Sequence, residues 1–190
     1  MTAELLIGPA GERIVELVQH VRTDQLASPT PCSGYDVRQL VNHLLFWGPS
    51  LEGAARKEAV LPPAEAEDAI DLTKADWSGD LTAQLRRTAS AWSLPEAWQG
   101  ATRMGGPDEI PASLIGGMVA TELVVHGWDL ARATGQQPEW DEELLEYVHR
   151  EVAGHAEWGR QLGSYGPEVK VAPDAPLLDR ILGLTGRNPA

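Results

Sequence analysis

An all-α fold, assembled as a bundle of long helices, is predicted for this 190-residue chain by three features of its sequence. Four long segments repeat apolar residues at helical spacing, while strand-like alternation is weak throughout. Residues that start and stop helices flank those segments. The connections are rich in proline and glycine and have no period of their own, which suits a bundle with one long crossover. The length suits a single domain over residues 1–190, and no internal repeat or low-complexity tract is evident.

The first helix is expected over about residues 5–21, with Ile14, Val15, Leu17, Val18 and Val21 on its apolar face. Gly8 and Pro9 disfavour its first turns, so its start is expected as late as Gly11. Residues 27–34, ASPTPCSG, read as a loop. Asp36 is the expected N-cap of a second helix that runs to about Lys57 and carries Leu40, Val41, Leu44, Trp47 and Leu51. A polar stretch, LPPAEAEDAIDLTKADW, follows with room for one helical turn. Ser78 or Asp80 then begins a third helix, with Leu81, Leu85, Thr88 and Trp92 along one side. Residues 95–111 contain Gly100, Gly105, Gly106 and Pro107 and read as a long irregular connection. The fourth helix spans about Ala112 to Thr134; Gly135 suits its C′ position and Pro138 prevents continuation. A fifth starts near Asp141. The tail, from about Tyr165, is expected to be extended over residues 168–171 before a last helix carrying Leu177, Leu178, Ile181 and Leu182.

The formal net charge of −13 argues against a nucleic-acid partner, whose phosphates require cationic patches, and against anionic membrane surfaces. No stretch approaches the ~18 apolar residues of a membrane span. The opening MTAELLIGPAGER lacks the basic region and long apolar run of a signal peptide. The single cysteine, Cys32, cannot form an internal disulfide, which suits a reducing cytoplasm. A soluble cytoplasmic protein is the expectation.

Chemistry is expected at three residues. Glu122 and His126 stand four apart in SLIGGMVATELVVHGWDLARATG, so a helix stacks them on one face. His43 lies far upstream among Leu40, Leu44 and Trp47. If the helices converge, two histidines and a carboxylate make an open metal site. The alternatives are a core histidine satisfied by a backbone carbonyl at position 43 and a surface Glu–His pair at 122 and 126. The spacing is not that of the HExxH metalloproteases. Asp129 follows His126 by three and could orient it, or be a solvated or capping residue. Trp47 and Trp128 could wall a pocket or pack the core. Cys32 has no basic neighbour in sequence and reads as a bystander thiol. His20 falls near the end of the first helix, where a protonated imidazole suits the helix dipole. His149 and His155 read as solvent-facing, and Arg103 and Arg132 read as surface residues with anion contact as the alternative.

Three passages, TPCSGYDVRQLVNHL, TELVVHGWDLARATG and SYGPEVKVAPDAPLLDRILGLTGR, resemble the DinB-like superfamily. The resemblance is to the metal-binding domain of mycothiol-dependent maleylpyruvate isomerases and to related stand-alone metal-binding proteins. It covers nearly the whole chain. It implies a DinB-like four-helix up-down-down-up bundle with an extra C-terminal helical tail, and often a homodimer. It also implies that His43, Glu122 and His126 bind a divalent metal, usually Zn2+; the two-histidine, one-carboxylate set itself also suits Fe2+, and Ni2+ can occupy such sites. The isomerases carry a further C-terminal domain that contributes to their site, so metal binding is implied more directly than maleylpyruvate isomerisation.

Three functions follow as expectations. The first is a metal-dependent transferase or isomerase using a small thiol such as mycothiol as co-substrate, with the metal stabilising a thiolate that attacks an electrophilic substrate. The second is a metal-activated-water hydrolase, for which Asp129 is the one nameable base. The third is a non-enzymatic metal- or thiol-binding stress-response protein, favoured by the lack of an identifiable arginine to grip substrate.

Overall fold

The computed structural model describes residues 2–74 and 76–190. The fold is all-α. Six helices are present among these residues: α1 (Ala3–Gln19), α2 (Val37–Ala55), α3 (Trp77–Trp92), α4 (Ala112–Thr134), α5 (Glu142–Gln161) and α6 (Leu177–Leu184). Helix α1 packs on α3 and α4, and α2 packs on the same two, so the bundle closes in the order α1–α3–α2–α4. Chain neighbours α1 and α2 therefore sit diagonally, as do α3 and α4. Helix α5 lies outside against α4, and α6 lies on α5.

Local chemistry sets most of the boundaries. Asp36 caps α2 by accepting from the backbone N–H of Gln39 at 2.8 Å, while the Gln39 side chain accepts from the Asp36 N–H at 2.9 Å. This reciprocal pair satisfies two donors that the helix cannot use. Asp141 caps α5 in the expected place. Gly135 ends α4 in the left-handed conformation (φ 74°), as expected of a C′ glycine.

Three details differ from the sequence-based expectation. Helix α1 begins at Ala3 and runs through Pro9, because Leu6, Ile7 and Ala10 are all buried and their packing outweighs the backbone bond the proline removes. Helix α3 begins at Trp77, one step past its N-cap Asp76, with the Trp77 ring buried. The connection 95–111 has structure: a 3-10 turn (Pro95–Trp98) and a two-residue antiparallel ladder, β1 (Ala101–Thr102) with β2 (Ile110–Pro111).

Helix α4 is the hub, packed by α1, α2, α5 and the 3-10 turn. It has room for those neighbours because of its glycines. A Cβ at Gly127, for example, would lie 2.8 Å from the Trp140 ring. Its fully buried Ile115, Val119, Val124 and Leu130 join Leu40 and Val41 of α2 and Ile14 and Val18 of α1 in one core. That core holds α2 and α4 side by side, which brings His43 to Glu122 and His126.

Candidate metal centre

The three predicted residues meet. His43 Nε2 lies 3.2 Å from Glu122 Oε2, and His126 Nε2 lies 3.3 Å from the same oxygen. The two imidazole rings stand edge to face with centroids 5.0 Å apart. One ligand atom from each of the three residues falls within 4.8 Å of the others. A divalent cation bound by nitrogen and carboxylate oxygen needs such a set.

The outer nitrogens are held symmetrically. His43 Nδ1 donates to Glu67 Oε1 at 3.0 Å, and His126 Nδ1 donates to Asp129 Oδ2 at 3.0 Å. A carboxylate on Nδ1 fixes each ring and leaves Nε2 for a cation. His43 thus has no need of the backbone carbonyl considered above. Glu67 sits in a 3-10 turn (Glu67–Ala69) of the polar stretch after α2. Asn42 pins that stretch, donating to the Glu67 carbonyl at 3.0 Å and accepting from the Leu72 N–H at 2.8 Å. Glu67 also accepts from Trp47 Nε1 at 2.6 Å and from the Tyr35 hydroxyl at 2.9 Å.

The electrostatics follow from this crowding. Burial opposes a charge on His43, yet Glu122 and Glu67 raise its pKa to about 10. Burial likewise opposes the charge on Glu122, but His126, His43 and Arg187 bring its carboxyl down to about 2. Glu67 also falls to about 2, because the His43, Trp47 and Tyr35 bonds outweigh its partial burial.

The cluster opens into a cleft of about 530 Å³. Leu51, Met104, Met118 and Leu162 give it apolar walls, and Cys32 and Tyr35 come from the loop before α2. Burial pushes the Cys32 thiol up to about 11, so it is protonated at neutral pH.

Of the pocket candidates, Trp47 lines the cleft; Trp128 does not, and instead lies buried with Arg132 over its ring. Two residues along a helix is about 200° around it, so Trp128 faces away from His126. Asp129 is fully buried and bound to both His126 and Arg187, which rules out the solvated role and leaves it unable to reach a water in the cleft as a base. His20 and His155 are exposed and donate to carbonyls of their own helices, and His149 is half-buried on α5; none joins the cluster.

Sequence reasoning missed Glu67, Tyr35 and Arg187. Glu67 lies in a segment without periodicity, and Tyr35 in a loop, so neither carries a local signal. Arg187 had half of one: Thr185-Gly186 after an apolar helix marks a left-handed cap, but not what the next residue would meet.

Fold and cluster together define a DinB-like helical bundle with a histidine–carboxylate centre. The family model described as the mycothiol maleylpyruvate isomerase N-terminal domain matches residues 7–131, and the chain belongs to that family. Two uncharacterised proteins of Mycobacterium tuberculosis, MT0763 and Rv0738, are each 29% identical over 184 residues, covering 94% of this chain and 93% of their own. Among solved structures, the mycothiol-dependent maleylpyruvate isomerase superposes with a TM-score of 0.61 at 15% identity, and a histidine-to-alanine mutant of it with 0.63 at 16%. Each alignment covers 84% of this chain and 70% of the other. At that identity the likeness is one of fold. No helix among the described residues is long and apolar enough to cross a membrane.

Proposed function

We propose that this protein binds a divalent cation, zinc by preference, on His43, Glu122 and His126, and acts with a small thiol of the mycothiol class on an electrophilic small molecule, as an isomerase or transferase. One observation carries the reading: both histidines turn Nε2 to the same Glu122 oxygen while a separate carboxylate holds each Nδ1. Family membership supports it, and the adjoining cleft offers room for a thiol and a substrate together. When bound at such a site, zinc stabilises a thiolate over a thiol at neutral pH.

The chain's own residues have narrower tasks. Cys32 keeps its proton at neutral pH, which leaves the nucleophile's role to the exogenous thiol. Glu67, held near 2, is a poor base and serves to orient His43. Burial and Glu67 raise the Tyr35 hydroxyl well above its ordinary value, so it remains a donor at the cleft wall. Leu51, Met104 and Met118 give a substrate apolar contact along the cleft wall. A reducing cytoplasm suits both the unpaired cysteine and a free-thiol partner.

The test combines metal analysis with turnover. Purified protein reconstituted with zinc should bind it and consume an electrophile only when thiol is added, and His43→Ala or His126→Ala should abolish both. Wild-type protein that takes up no divalent cation would overturn the metal reading. Turnover that proceeds equally without thiol would overturn the thiol reading.

A further inference from the structure

The matching family model ends at residue 131, yet part of the cleft wall comes from residues 162–166 and 185–187, near the other end of the chain. The one charged residue among these, Arg187, is itself buried. Just past the end of α6 and its C-cap Thr185, Gly186 has φ 85°; the Arg187 N–H donates to the Leu182 carbonyl at 2.8 Å and the Gly186 N–H to the Gly183 carbonyl at 3.2 Å. This is a Schellman turn, and it directs the following residue back towards the bundle. A Cβ at Gly186 would stand 2.6 Å from Gly166 Cα, so two tail segments meet there backbone to backbone.

Arg187 reaches Asp129 of α4 with two groups, Nη2 to Oδ2 at 2.9 Å and Nε to Oδ1 at 3.4 Å, while Nη1 donates to the Thr185 carbonyl at 3.0 Å. Arg187 is 5% exposed and Asp129 not at all. Desolvation of both partners offsets most of the attraction in such a pair, which makes it a weak source of stability. Its effect here is geometric. The two-point grip sets the plane of the Asp129 carboxylate, and Oδ2 is shared between Arg187 and His126 Nδ1. That bond in turn holds the His126 ring with Nε2 beside Glu122.

We infer that Arg187 is a positioning residue: through Asp129, the C-terminal tail holds His126 in the tautomer and orientation that present Nε2 to a cation. This rests on the metal-binding reading above. Outer partners of ligating histidines change metal affinity by roughly 10–100-fold when removed.

Arg187→Met removes the charge and the fork at similar length, and Arg187→Lys keeps the charge alone. Zinc affinity, read by chelator competition in variants with wild-type helical circular dichroism, should fall roughly 10–100-fold for Arg187→Met, with Arg187→Lys between. In metal-free protein, nitrogen-15 NMR should find the His126 proton on Nδ1 and slow to exchange in the wild type, and lose that slow exchange in Arg187→Met. If Arg187→Met does not fold, the same two readouts on Arg187→Lys decide. Unchanged zinc affinity and an unchanged His126 signal in a folded variant would overturn the inference. Should wild-type protein bind no zinc, the metal reading fails by itself, and the NMR comparison still decides whether Arg187 orients His126.

Discussion

His43 sits between two carboxylates, and its high pKa is the electrostatic signature of that position. A proton on Nε2 takes the place a cation would fill, and the charged ring bonds both Glu122 and Glu67. Cation binding therefore has to displace it. Because the pKa is raised to about 10, the displaced form is scarce at neutral pH and becomes commoner as pH rises. Zinc affinity should increase about tenfold per pH unit between neutrality and pH 10, with close to one proton released per ion. Calorimetry in two buffers of different ionisation heat measures that proton, and a pH-independent affinity would contradict a proton held on His43 between Glu122 and Glu67. Cys32 offers a separate check. Its thiol, pushed up to about 11, should alkylate slowly at pH 7 and accelerate about tenfold per unit until that value is reached. Mass spectrometry of iodoacetamide-treated protein follows it directly.

At the scale of elements, the centre depends on two helices and one pinned turn. Helix α2 is started by the Asp36–Gln39 capping box, seven residues before His43. Asp36→Ala should destabilise the protein by about 1 kcal/mol and lower its thermal midpoint by roughly 2–4 °C, with little effect on zinc affinity. The cap holds the start of the helix, whereas Leu40, Val41 and Leu44 hold the part that carries the ligand. A large loss of zinc binding in that variant would mean that the N-terminal turn itself sets the site. Helix α4 supplies Glu122, His126 and Asp129 from one stretch, so helix periodicity places them on neighbouring turns, while Arg187 sets the plane of the Asp129 carboxylate. The turn at Glu67 is different in kind, since Asn42, Trp47 and Tyr35 position it through side-chain bonds.

For the whole molecule, the consequence is a link between distant parts of the chain. His43 and Glu122 are 79 residues apart, and Arg187 and Asp129 are 58 apart. A cation on the centre would join α2 to α4 in the folded state and find no such site in the unfolded one. Zinc at about one hundred times its dissociation constant should therefore add about 2.7 kcal/mol to the unfolding free energy, and a chelator should reverse it. Thermal melts with and without zinc read this. His126→Ala should abolish the increment. The net charge of −13 acts across the surface instead: a charge of that size favours solubility and disfavours polyanionic partners without selecting a fold.

Much of this was legible in the chain because it is local. The caps Asp36, Asp141 and Gly135 are read by the backbone within a few residues, and they set the helices where the sequence predicts them. The i,i+4 spacing of Glu122 and His126 implied a shared face, and the resemblance to a known family joined His43 to it. Pro9 misled because its cost is local while the packing of Leu6, Ile7 and Ala10 that outweighs it is not. Tertiary structure alone decided the rest. It set the ring order that brings α2 beside α4, the placement of Glu67 behind His43, and the return of Arg187 to Asp129. Those contacts join segments with no shared period, and they form only where close packing brings polar groups together out of water to satisfy one another.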